Sequence, residues 1–347
     1  MERKVIRNKN FAGIDYFRLI AAFMVIAIHV SPFSNIDRNL DFIITYCMGR
    51  IAVPFFLMVT GYFVLAPYVI SDFCNKIPVL KYIKKNLFLY IMATVGYLPI
   101  SIYSGNVPQT ATELIKWLFF DGTFYHLWYF PAAIIGCIII MLLVKKSVSA
   151  TFGFCVIAYM IGLFGDSYYG IIKGIPLFNS LYKGIFQFSS YTRNGIFFAP
   201  MFIALGMLIA ILPIQYKRNQ IIQRWIICFV LMIFEGVITY YFNLQKHNSM
   251  YLFLIPVVYF LFQLLLTISQ KAPSWIRDIS MLIYIIHPAV IILLRGITKI
   301  THLEKLFIEN TFIQYCLVCV LSMAIAFIIK NIRKGKNRNV RKRTSMD

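Results

Sequence analysis

Two residues near the start of the chain have the types and the spacing to do chemistry across a helix. Arg18 and His29 are eleven positions apart, the first closing the run Gly13-Ile14-Asp15-Tyr16-Phe17-Arg18. Eleven residues make nearly three full turns, so an α-helix puts both side chains on one face, about 16 Å apart along the axis. Ala22 and Val25 lie on the same stripe and keep it slim. A guanidinium grips phosphate through paired donors. An imidazole, titrating near neutrality, suits a general base. The two cannot touch each other, but a path between them would join the two ends of the helix.

Further polar residues sit within or beside apolar runs. Arg50 precedes Pro54 by one turn in Gly49-Arg50-Ile51-Ala52-Val53-Pro54. It either satisfies carbonyls that the proline frees or serves as a ligand for substrate or phosphate. His126 in His126-Leu127-Trp128-Tyr129-Phe130-Pro131, Arg193 and Asn194, Glu235, and His247 and Ser249 are expected to gather around an outward-opening polar cavity. With Arg50 they form the candidate substrate-binding set. Glu235, deep in an apolar run, has no interface to escape to, and Arg193 is its expected partner. Lys246, Trp117 and Tyr125 read as interfacial anchors. His287, before Pro288, has two open readings: a hydrogen bond to a backbone carbonyl, or a functional role. No phosphate-binding glycine loop, metal-ligand spacing or nucleophile elbow is present, so no metal and no tightly bound cofactor is expected.

These residues need a frame, and composition supplies one. Hydrophobic residues make up 60% of 347 positions and charged ones 14%, well below the quarter usual in soluble domains. The net charge of +21 lies in short loops and a basic tail from Lys330 to Arg343. That is a positive-inside pattern and not a nucleic-acid-binding face. About 20 apolar residues cross a bilayer, which predicts an all-α, polytopic membrane bundle of about ten helices. They are expected at 14–33, 42–66, 85–104, 127–144, 149–165, 195–213, 222–242, 250–269, 279–298 and 311–330, with interfacial amphipathic pieces near 111–121 and 177–190. Most of the 34 lysines and arginines then fall on the side of the two termini, which are expected in the cytoplasm. The expected divisions are a cytoplasmic segment 1–12, a membrane domain 13–330 and a basic cytoplasmic tail 331–347. The first apolar run follows basic residues without a small-residue cleavage site and is expected to be a retained helix. Cys316 and Cys319 have CxxC spacing but lie in a lipid-facing run, a poor setting for metal or redox chemistry.

At Arg18-x10-His29, Arg50 with Val53-Pro54-Phe55-Phe56 and Thr60-Gly61, and Ser280…Tyr284…His287-Pro288, the sequence resembles the type 3 acyltransferase family of bacterial membrane proteins. Thr60 and an isoleucine in the last block stand where that family more often shows Ser and Leu. From Gly13 to Phe327 it also resembles the membrane domain of VanT-type serine racemases of vancomycin-resistance clusters. The residues carrying this are Gly13 to Arg18, His126 to Pro131, Gly165-Asp166-Ser167, Thr192 to Phe198 and Lys246 to Phe253. The first resemblance implies transfer of an acyl group, often acetyl from cytoplasmic acetyl-CoA, to a hydroxyl of an extracytoplasmic glycan or lipid. Arg18 and Arg50 would then hold the CoA phosphates and His29 would act on the acceptor hydroxyl. The second implies uptake of L-serine for a racemase partner. The sequence ends at Asp347 after the basic tail, so racemisation is not carried over. A membrane domain by itself, a split-gene partner and a stand-alone relative stay open. Either reading implies a multi-pass protein of a bacterial cytoplasmic membrane.

Overall fold

The computed structural model describes residues 11–213 and 216–343, with side chains to Ile332. The basic residues Arg3, Lys4, Arg7 and Lys9, and the tail side chains beyond 332, lie outside the described residues. Among the described residues all regular structure is helical. Each expected apolar segment is a helix, and so are both amphipathic pieces, at Ala111–Lys116 with a π turn to Asp121 and at Pro176–Phe188.

Six helices are long and apolar enough to cross a membrane. We label them α1 (Ala12–Val30), α2 (Arg38–Ile70), α3 (Ile77–Tyr103), α7 (Arg218–Tyr241), α9 (Trp275–Ile300) and α10 (Thr311–Arg343, apolar to Ile332). Four shorter apolar helices complete the order: α4 (Tyr129–Leu143), α5 (Val148–Phe164), α6 (Ala199–Ile211) and α8 (Leu254–Leu266). Helices α4, α6 and α8 begin later than hydropathy suggests, at 129, 199 and 254 instead of 127, 195 and 250. The reason is shared. Each is preceded by non-helical, largely buried chain carrying polar residues: His126, Asn194 and Ser249. Irregular backbone is tolerated within an apolar bundle only where protein groups satisfy it, and here they do.

Helix α1 is interior. It packs against α2, α8, α9 and α10, and its Ala21 and Ala22 are fully buried. Small residues let these backbones approach. Helix α2 is not regular. A π turn over Phe42–Cys47 and a 3-10 turn over Met48–Ile51 lead into Ala52–Thr60, and a second π turn spans Gly61–Leu65. Pro54 and Pro67 lack the N–H that a regular α-helix would direct to residues 50 and 63, where these irregular turns lie. The crossing of α2 and α6 is tight. A Cβ on Gly61 would sit 1.9 Å from the Ile203 carbonyl oxygen, and one on Gly206 would sit 2.0 Å from that of Met58. Glycine at both points is required by backbone contact.

Candidate active site

At the end of α1 where the chain enters, Asp15 organises the charge. It accepts two hydrogen bonds from Arg277 of α9, Nε to Oδ1 and Nη2 to Oδ2, each 2.9 Å. Arg18 Nε lies 3.5 Å from Asp15 Oδ1 as an ion pair, but makes no hydrogen bond. Beside them is a cavity of about 190 Å³ lined by Arg18, Lys85, Arg277, Tyr82, Ser280 and Tyr284, among others. Three cations thus line a largely apolar space, and two of them, Arg18 and Arg277, pair with Asp15. Ser280, Tyr284 and His287 recur at i, i+4 and i+7, so they share one face of α9, and all three are buried.

Tyr284 is a wall common to this cavity and to a cluster of histidines. Its hydroxyl donates to the His126 carbonyl, and its ring centroid lies 5.6 Å from that of His126. His287 stacks on His29 at 5.4 Å and meets His126 edge-on at 5.2 Å. The three imidazoles come from α1, the loop before α4, and α9. His287 Nδ1 lies 3.1 Å from the Ile283 carbonyl. A carbonyl only accepts, so Nδ1 carries the proton, and in the neutral ring Nε2 is a bare acceptor. That Nε2 and both His126 ring nitrogens are buried without a partner. The expected carbonyl bond is thus present at His287, with its other ring nitrogen facing the cluster unpartnered. No group of three or more His, Cys, Asp or Glu among the described residues could hold a metal ion. Gly122 sets the loop that presents His126: its φ is +83°, and a Cβ there would be 2.3 Å from the Trp128 nitrogen.

Beyond the histidines lie the arginines. Arg50 does not line the Arg18 cavity. Its Nε donates to the Asn248 carbonyl at 2.7 Å, its Nη2 donates to Asn248 Oδ1, and its guanidinium lies 5.4 Å from the Tyr46 ring centroid. Arg193 Nη1 donates to Ser249 Oγ at 3.0 Å, with its guanidinium over Tyr191 at 4.2 Å and Trp128 at 5.2 Å. His247 packs on Tyr191 with ring centroids 4.3 Å apart. Burial, then the Arg193 and Lys246 charges, pull its imidazole down to about 4.

One expectation, the Glu235–Arg193 pair, is corrected here. Glu235 does not pair with Arg193. Its Oε1 accepts from the Tyr168 hydroxyl (2.8 Å) and the Leu252 N–H (2.6 Å), and its Oε2 accepts from the Phe253 N–H (2.9 Å). The free N–H groups where α8 begins outcompete a distant guanidinium. Asn194, for its part, is occupied structurally. Its Oδ1 accepts from the Ile196 and Phe197 N–H groups, and its Nδ2 donates to Ser189 Oγ and the Tyr191 carbonyl.

Sequence reasoning passed over Asp166 as a site residue. Its Oδ1 accepts from the Ser249 N–H (2.6 Å) and the Met250 N–H (3.0 Å), fixing the segment that Arg50 and Arg193 grip. Burial pushes its carboxyl up, and these two hydrogen bonds offset the push. Asp15 and Lys85 were also not singled out. The i, i+3 spacing of Asp15 to Arg18 was a usable signal.

The family described as an acyltransferase domain matches residues 11–331. An amino-acid racemase of Enterococcus faecalis is 41% identical over 93% of this chain and 45% of its own length. A serine/alanine racemase of Enterococcus gallinarum is 35% identical over 95% of this chain and 46% of its own. The chain thus spans about half the length of these curated relatives. No solved structure matches it. Taken with the helical bundle and the Arg18–His29 helix, the match over nearly the whole chain makes this a multi-pass membrane protein of the type 3 acyltransferase family.

Proposed function

We propose that the protein transfers an acyl group, acetyl in the simplest case, from an acyl-CoA to a hydroxyl of a glycan or lipid acceptor. The observation that carries this is the shared wall: Tyr284 borders both the cation-lined cavity and the histidine cluster. Arg18, Lys85 and Arg277 supply charge for the phosphates of CoA, entering from the cytoplasm of a bacterial cell. Arg50 takes no part in that grip. His29, partly exposed and without a side-chain hydrogen bond among the described residues, takes the acceptor proton as general base. The acyl C–S bond breaks, a C–O bond forms, and the proton passes from His29 to the CoA thiolate.

Uptake of L-serine for a racemase partner is the second reading; the relatives' names connect this chain with racemases of serine and alanine, not with uptake. A zwitterion site built on Glu235 and Arg193 draws no support from the geometry, because both Glu235 oxygens are already engaged. The test is turnover of labelled acetyl-CoA by purified protein with a panel of hydroxyl acceptors. His29→Ala should lower it by about 10²–10⁴-fold, the usual worth of a general base. Undiminished turnover in that variant defeats the assignment, and saturable serine uptake into proteoliposomes would favour the second reading.

A further inference from the structure

The acidic groups near Arg50 and Arg193 are all committed elsewhere. Both ion pairs among the described residues use Asp15, at the opposite end of α1. Glu235 serves the start of α8, Asp166 serves the Ser249 and Met250 N–H groups, and Asp121 accepts from the Ser190 N–H at 2.8 Å. Arg50 and Arg193 grip adjacent residues, Asn248 and Ser249. They are close enough for their charges to repel, and both lie within electrostatic reach of His29. Their partners are carbonyl, amide, hydroxyl and aromatic groups. Such partners stabilise a cation without neutralising it. Arg193 Nε is buried without a hydrogen-bond partner, as are His287 Nε2 and the His126 ring nitrogens next to His29. His126 and His287 are no more than 1% exposed.

Neither guanidinium has a direct ion pair among the described residues; Asp166 and Asp121 attract Arg193 only from a distance, as Asp166 does Arg50, and two such cations in an apolar bundle favour an anion between them, which turns mutual repulsion into attraction. Unpartnered imidazole nitrogens alongside favour a hydroxyl. We propose that the acceptor carries an anionic group, a carboxylate or a phosphate, held by Arg50 and Arg193 so that its hydroxyl lies at His29. The role of this site in group transfer rests on the acyl-transfer reading; the anion site itself does not. It assigns Arg50 and Arg193 to binding and to orientation of the acceptor, and it excludes neutral sugars as good substrates.

The experiment uses the full chain in phosphatidylcholine nanodiscs and two matched probe pairs: D-glucuronate against D-glucose, and sn-glycerol 3-phosphate against glycerol. In at least one pair the anion should bind ten-fold or more tightly than its neutral counterpart, and more weakly as salt rises. The pair that responds tells carboxylate from phosphate. Arg50→Gln and Arg193→Gln should each weaken anion binding ten-fold or more, while Arg193→Lys keeps it within a few-fold. Equal binding of charged and neutral probes by the wild type overturns the proposal, as does wild-type anion binding by folded Gln variants. All binding is measured with CoA saturating the Arg18 cavity, so the wild-type comparison stands even if a Gln variant fails to fold. His29→Ala should keep anion binding whatever its transfer activity, so failure of this site and failure of the acyl-transfer reading are separate results.

Discussion

The two ends of α1 handle positive charge in opposite ways. At the Arg18 end, one buried carboxylate, Asp15, is shared by two guanidiniums beside a cavity of about 190 Å³. At the His29 end, two guanidiniums are held by neutral groups, and the nearby carboxylates are spent on backbone N–H donors. Charge in an apolar bundle is costly unless paired. The first end is therefore balanced by direct ion pairs, and the second only by carboxylates held off the guanidiniums. The histidine cluster and Tyr284 lie between these two regimes.

The largest effect is expected at Asp15. Asp15→Asn leaves Arg18 and Arg277 beside each other with no carboxylate, and should destabilise the protein by about 2 kcal/mol, between the exposed and buried scales because the Arg277 side chain is 54% exposed. Thermal unfolding in detergent measures it. A loss below roughly 0.5 kcal/mol would make Asp15 an ordinary surface partner. Glu235→Gln sharpens the contrast from the other side. One carboxylate oxygen becomes an amide that cannot accept, so at least one hydrogen bond at the start of α8 is lost, at a cost of about 1–2 kcal/mol. Anion binding and transfer should change by less than about two-fold, since Glu235 meets neither arginine. A large loss of binding without a loss of stability would return Glu235 to the substrate.

The smallest effect is expected at His247. Its imidazole falls from its ordinary value near 6.5 to about 4 in the folded protein. The unfolded chain thus binds the extra proton first. Stability from this group is full above about pH 6.5, declines as pH falls from there to about 4, and is flat below that. Because the ring is partly exposed, the change should be on the order of 1 kcal/mol. Unfolding midpoints measured across pH 4–7 should flatten in His247→Gln. An unchanged slope would mean that neither burial nor the Arg193 and Lys246 charges hold the ring neutral.

The helices were legible in the sequence because one physical requirement, about 20 apolar residues per crossing, writes itself locally. So was the shared face of Arg18 and His29, which needs only the helical period. What lay beyond local pattern was decided by distant chain. Arg50 reaches Asn248 across 198 positions, and Tyr97 donates to the Ile285 carbonyl across 188. Glu235 misled because a carboxylate inside an apolar run suggests a cation. The competing donors were backbone N–H groups at a helix start that hydropathy had placed four residues early. His287 shows a different limit: its motif gave two readings, and the structure shows the carbonyl bond at Nδ1 while Nε2 has no partner.

The account stands or falls on a division of labour along α1, with donor binding at Arg18 and proton removal at His29. Steady-state kinetics with acetyl-CoA as the varied substrate test it directly. Arg18→Gln should raise KM for acetyl-CoA by ten-fold or more with kcat nearly kept, and His29→Ala should cut kcat with KM nearly kept. If both variants shift the same parameter, or if Arg18→Gln leaves KM for acetyl-CoA unchanged, the two ends do not perform the separate tasks assigned to them.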